Sequence, residues 1–205
     1  MLKLDLTGPA ATYLREKLGL SAADEEVVRY GLQVVVYTAA GFASISLAGW
    51  LVGALPTTLA AALSAGALRL FSGGAHSRSP LTCNLLGAAM ACLVGKAAAV
   101  AAALFVPPIL LLVLLAPFIP ATVAVWRLAP VDSPAKPITS PGRRRKLRRL
   151  SLAALLTLTV GQMVLLPRWP ALAMAVGCGT WWQAFTLTRA GHRFAAVLDN
   201  FTRKG

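Results

Sequence analysis

Charge is scarce in this chain. Asp, Glu, Lys and Arg make up 13% of its 205 residues, where a soluble domain carries about 25%. That deficit argues against an ordinary soluble globule. Long apolar stretches take its place, and 57% of the residues are hydrophobic, the mark of a polytopic membrane protein. Acids are scarcer than bases, 7 against 20, for a net charge of +13. On a soluble surface that excess would point to nucleic acid; in a membrane protein it reports topology, and no nucleic-acid partner is expected. Three cysteines, an odd number, do not build a disulfide framework. Two histidines and no CxxC pair argue against a zinc site, which takes three or four protein ligands. Neither a metal nor an organic cofactor is expected. No internal repeat is visible. The polar, mixed stretch from Met1 to Asp24 does not read as a cleavable signal peptide.

What is present reads as an all-α, single-domain membrane protein over residues 1–205, with about six transmembrane helices. Residues 9–20 form a short amphipathic helix on the membrane surface. Ser21, followed by Asp24, Glu25 and Glu26, is a helix start with acids in its first turn, opening a span that runs to about Leu55. The second apolar segment, Thr57 to Phe71, is short: at about 1.5 Å per residue it covers roughly 22 Å, against about 30 Å of hydrocarbon. Either its helix begins earlier, with Pro56 at the first position, or the Gly73–Gly74 loop dips into the membrane margin. The third segment is Leu81 to Val106. The fourth, Ile109 to Trp126, is kinked by Pro117 and Pro120. A proline-rich loop ends in the basic run Arg143–Arg149. The fifth and sixth segments, Ser151 to Leu166 and Ala171 to Leu187, flank a tight turn with Trp169 at the interface, and a basic tail follows.

Six spans put both termini on one side. Every cation except Lys96 and Arg168 falls on that side, which the positive-inside rule makes cytoplasmic. Residues 1–26, 127–149 and 188–205 are then a cytoplasmic amphipathic N-terminus, basic loop and tail. Lys96 lies inside the third segment: either it snorkels toward the outer face or the helix breaks near Gly95, or it is an intramembrane charge lining a polar cavity.

One connection concentrates chemistry. Arg69-Leu-Phe-Ser-Gly-Gly-Ala-His-Ser-Arg-Ser-Pro-Leu-Thr-Cys83 places a base, a thiol and a glycine pair between two apolar segments. Ser79-Pro80 is a cap and a first helical residue, so Cys83 falls near the fourth helical position. Unpaired N–H groups and the helix dipole favour a thiolate there, and Arg69 and Arg78 add positive field. His76, seven residues upstream, is placed to act as base. Gly73 and Gly74 allow unusual backbone geometry and close substrate approach. No third catalytic residue is evident; Ser72, Ser77 and Asn84 are nearby candidates for orienting groups. Cys92 and Cys178 sit within apolar segments, as small hydrophobes do.

The pattern Arg69-x-x-x-Gly73-Gly74-x-His76, with Cys83 seven residues on, resembles the signature of the accessory gene regulator protein B (AgrB) family, membrane endopeptidases that process quorum-sensing peptides. Tyr30-Gly31-Leu32 after an acidic cluster, and Ala129-Pro130-Val131-Asp132 followed by Lys136-Pro137, are similar to further stretches of that family. The likeness covers nearly the whole chain; Ala75 departs from it, an aromatic being common before the histidine. The resemblance implies a cysteine peptidase of the bacterial cytoplasmic membrane with Cys83 as nucleophile and His76 as base. Its substrate would be a small pro-peptide with an amphipathic leader and an acidic C-terminal tail. The thioester acyl-enzyme would be captured as a thiolactone or lactone, and the resemblance implies a homodimer. Under it, Arg143, Arg144 and Arg145 have two readings: topology with attraction to the lipid bilayer, or a dock for the acidic tail. The rival function is a transporter subunit using Lys96.

Overall fold

The computed structural model describes residues 7–75, 80–132 and 137–203. These form α1 (Gly8–Leu18), α2 (Ala22–Leu51), α3 (Leu55–Ser72), α4 (Pro80–Leu104), α5 (Pro107–Leu115), α6 (Phe118–Leu128), α7 (Pro141–Leu165), α8 (Pro170–Thr186) and α9 (Arg189–Arg203), with no strand among the described residues. The all-α expectation holds. The chain falls into two compact units, residues 1–43 and 44–205.

In the first unit, α1 stops at Gly19, which adopts φ 63° and donates its N–H to Arg15 O. A left-handed glycine ends a helix this way. The expected start of the next helix is also present: Asp24 N donates to Ser21 Oγ at 3.2 Å, and Ser21 N to Asp24 Oδ2 at 3.3 Å. Reciprocal bonds of this kind satisfy orphan donors at a helix start. Glu25 accepts from Thr12 Oγ1 and from Arg15 Nη1, each at 2.7 Å, tying α1 to the first turn of α2.

The second unit reverses the polarity of a soluble core. Thr57, Thr58, Ser64, Ser72, Ser151, Gln162, Thr180, Gln183 and Thr186 are buried, while Leu47, Trp50, Leu93, Leu104, Leu112, Ile119 and Val164 face outward. An apolar exterior over a partly polar interior is what lipid selects, because lipid offers no reward for burying a leucine. Four of the buried hydroxyls bond back onto the preceding turn: Thr57 to Ala54 O, Ser64 to Ala61 O, Ser151 to Leu147 O and Thr180 to Val176 O. Helices α3 and α8 pack against each other, with α4 and α7 beside them. Their close approach needs small residues: a Cβ at Gly179 would strike Ala61 O, and one at Gly95 would strike the Thr58 backbone.

Among the described residues, four helical stretches are long and apolar enough to cross a membrane: Ala22–Leu51, Thr82–Leu104, Pro107–Leu128 and Pro141–Leu165. The segments expected as the second and sixth spans fold as α3 and α8, of 18 and 17 residues, and are not among these four. They carry most of the buried polar side chains, with Ser151 and Gln162 on α7, and neighbouring helices pack on both. Helix α3 begins at Leu55 with Pro56 in its first turn, the earlier start expected from its length. The fourth segment breaks between α5 and α6 at Pro117, as the prolines predict. Two expectations are corrected. The basic run Arg143–Arg149 is not loop but the opening of α7, because Ser140 caps the helix through Arg143 N and Pro141 takes its first position. No break occurs at Gly95, since α4 runs unbroken to Leu104.

Candidate functional site

Cys83 is the fourth residue of α4, as the Ser79-Pro80 signal predicts, and is half-buried with a free thiol. It opens onto a cavity of about 290 Å³ that Arg69, Ala75, Gln183 and Thr186 also line. Arg69, at the end of α3, lies within electrostatic range of the Cys83 sulfur. His76 and Arg78 lie outside the described residues.

The loop after α3 is held by an interlocking set of bonds. Gly73 has φ 64° and Gly74 φ 148°, both in the region that disfavours other residues. A Cβ on Gly73 would meet Val131 O, and one on Gly74 would meet Thr186 Oγ1 and Gln183 Nε2. The glycine pair is therefore required both by backbone angle and by space. Gln183, 1% exposed, donates Nε2 to Gly73 O at 2.6 Å and to Ser72 Oγ at 3.2 Å. Its Oε1 accepts from Arg69 Nη1 at 3.3 Å, while Arg69 Nη2 donates to Ala75 O. Ala75 N donates to Thr186 O at 3.1 Å, and Val131 N to Ser72 O at 2.9 Å. Residues 72–75 are thus clamped between α8 and the loop after α6.

That second loop is itself fixed from α7. Arg144 pairs with Asp132 and donates to Pro130 O and Ile138 O, and Arg148 Nε donates to Ala129 O at 2.9 Å. The basic run is therefore not one uniform patch. Arg144 is spent on the loop, while Arg143 and Arg145 remain exposed, Arg145 beside Lys146 and Arg149 on an open basic face.

Lys96 does not line the Cys83 cavity. Its Nζ donates to Val52 O at 3.0 Å, in the turn after α2. Cys92 Sγ is 3.7 Å from Ala48 O, and Cys178 packs at the edge of the apolar core.

Gln183 and Thr186 escaped the sequence reading. The available signal was an uncharged amide inside an otherwise apolar segment, Trp181-Trp182-Gln183, since polar side chains at that depth have partners or tasks. Nothing local identified which.

The helices and their apolar exterior define a helical membrane protein with a free thiol at a shaped cavity. The sequence profile described as Accessory gene regulator B matches residues 9–187, and the chain belongs to that family. Its relatives include an AgrB-like protein of Clostridium perfringens (strain SM101, type A), 27% identical over 191 residues and covering 88% of each chain. A second, AgrB-like protein 2 of Clostridium perfringens (strain 13, type A), is also 27% identical, again with 88% of each chain covered. No solved structure matches the chain. Membership of this family implies the processing of a quorum-sensing pro-peptide.

Proposed function

We propose that this protein is a membrane-embedded cysteine endopeptidase, a single integral domain that cleaves a small membrane-associated pro-peptide. The observation that carries this reading is the cavity shared by Cys83, Arg69 and the clamped Gly73–Ala75 loop. The Cys83 thiolate attacks the scissile carbonyl, stabilised by the α4 N-terminus and the Arg69 charge. The carbon–nitrogen bond breaks, His76 returns its proton to the departing amine, and a thioester stays on Cys83. A thiol or hydroxyl of the peptide's own retained part then displaces the sulfur, closing a thiolactone or lactone ring. The apolar lining limits water, which favours that capture over hydrolysis. The protein works in the bacterial cytoplasmic membrane, with both termini cytoplasmic and as a homodimer. The exposed cations Arg143 and Arg145 receive the acidic tail of the pro-peptide.

The test is co-expression with the pro-peptide encoded nearest to this chain. Wild type releases the C-terminal fragment, while Cys83→Ala and His76→Ala reduce release to background. Cleavage surviving in Cys83→Ala removes the proposed nucleophile.

A further inference from the structure

The profile match ends at Leu187, and beyond it, in the stretch expected only as a basic tail, Arg189–Arg203 form α9. Thr188 starts this helix, accepting Gly191 N on its Oγ1 at 3.1 Å and His192 N on its carbonyl at 3.0 Å. Gly191 lets α9 lie directly against the end of α8, where a Cβ would strike Phe185 O and Thr186 Cα. The turn between the helices is tight, and it brings Phe194 edge-on to Trp182, with ring centroids 5.7 Å apart, and to Phe185 at 6.4 Å. Aromatic edge contacts of this kind fix orientation as well as burying area. Gly191, Phe194, Ala195 and Leu198 share one helical face, and all four line the cavity onto which Cys83 opens. His192 and Arg193 are exposed.

We propose that α9 is a wall of the substrate site, and that Phe194 and Leu198 select the size of an apolar side chain next to the scissile bond; this rests on the peptidase reading of Cys83. The volume of about 290 Å³ sits at the lower bound of small-ligand sites, roughly 300 Å³, so it holds a side chain and not a folded peptide. Arg69, Gln183 and Thr186 are engaged with the loop at residues 73–75, which leaves the α9 side of the cavity to apolar contact. Phe194 and Leu198 are specificity-determining residues for the class of peptide that presents a bulky aliphatic or aromatic group there.

The test needs no turnover. In full-length protein carrying Cys92→Ser and Cys178→Ser, reconstituted in lipid, the rate of Cys83 alkylation is measured with N-methylmaleimide and N-cyclohexylmaleimide. Ala195→Leu fills the cavity and lowers the cyclohexyl-to-methyl rate ratio, while Phe194→Ala widens it and raises that ratio. Each shift is expected at about tenfold, the lower end of what one methylene achieves in an apolar pocket. Arg193→Glu, on the polar face, leaves the ratio unchanged. A flat ratio in both cavity variants, with helicity and elution unaltered, overturns the assignment of α9. A ratio that moves only with Arg193→Glu also overturns it, and marks α9 as a membrane-surface helix instead. Peptide cleavage that survives Cys83→Ala sinks the peptidase reading and this proposal together. Loss of cleavage in Cys83→Ala combined with a flat ratio sinks the α9 assignment alone.

Discussion

One amide ties three pieces of the chain together. Gln183 accepts from Arg69 and donates to both Ser72 and Gly73. Removing it in Gln183→Ala takes the Nε2 donor from Gly73 O and Ser72 Oγ, which keep only the 3.1 Å bond between themselves; each lost bond costs about 0.5–1.5 kcal/mol. Gly74→Ala disturbs the same clamp from the other side, since a side chain at φ 148° would be strained and would collide with Thr186 and Gln183; backbone strain of that kind costs about 1–3 kcal/mol. Both variants are expected to unfold earlier on heating in detergent and to lose peptide cleavage. Gln183→Glu keeps the acceptor toward Arg69 but loses the donor to Gly73, and is expected to fall between wild type and Gln183→Ala. Cys83 was legible in the sequence because its position depends on a local start signal, Ser79-Pro80. Gln183 was not, because its partners are 110 and more residues away and an amide in an apolar segment looks the same whether it braces a loop or faces a neighbouring helix.

The elements divide in the same way. Helix starts and breaks were readable wherever capping residues and prolines act over a few positions, as at Ser21, Pro56 and Pro117. The start of α7 carries the same signals, Ser140 and Pro141, but the density of charge after them read as loop. The consequence is functional. On a helix, Arg143, Arg144 and Arg145 point in different directions, about 100° apart at 3.6 residues per turn, and only Arg144 reaches Asp132. Arg144→Gln is therefore expected to lower thermal stability at any salt concentration, by freeing the loop that packs on Gly73. The double change Arg143→Gln with Arg145→Gln is expected to leave stability unaltered and to weaken pro-peptide processing most at low salt, where exposed charges act over longer range. Processing that is indifferent to the double change across a salt series would discard the docking role of these cations.

At the scale of the molecule, the sequence carries a membrane protein's composition, but not which helices lipid touches. The two most interior helices, α3 and α8, are the ones with the most buried polar side chains, and neither is among the four stretches that qualify as spans by length and composition. Their contact depends on backbones coming close at Gly179. Gly179→Val would push Ala61 away and is expected to reduce the yield of monodisperse protein after extraction; overpacking of this kind costs typically about 1–3 kcal/mol. Unchanged yield and unfolding temperature would show that the two helices can separate without loss.

The clamp on the loop at residues 72–75 comes from residues 183–186, so its two halves leave the ribosome far apart in time. By then α4, with its sulfur, has already been synthesised. A half-made chain carries the thiol without the mould that shapes the backbone beside it. Chain order alone thus delays assembly of the pocket until α8 has been made.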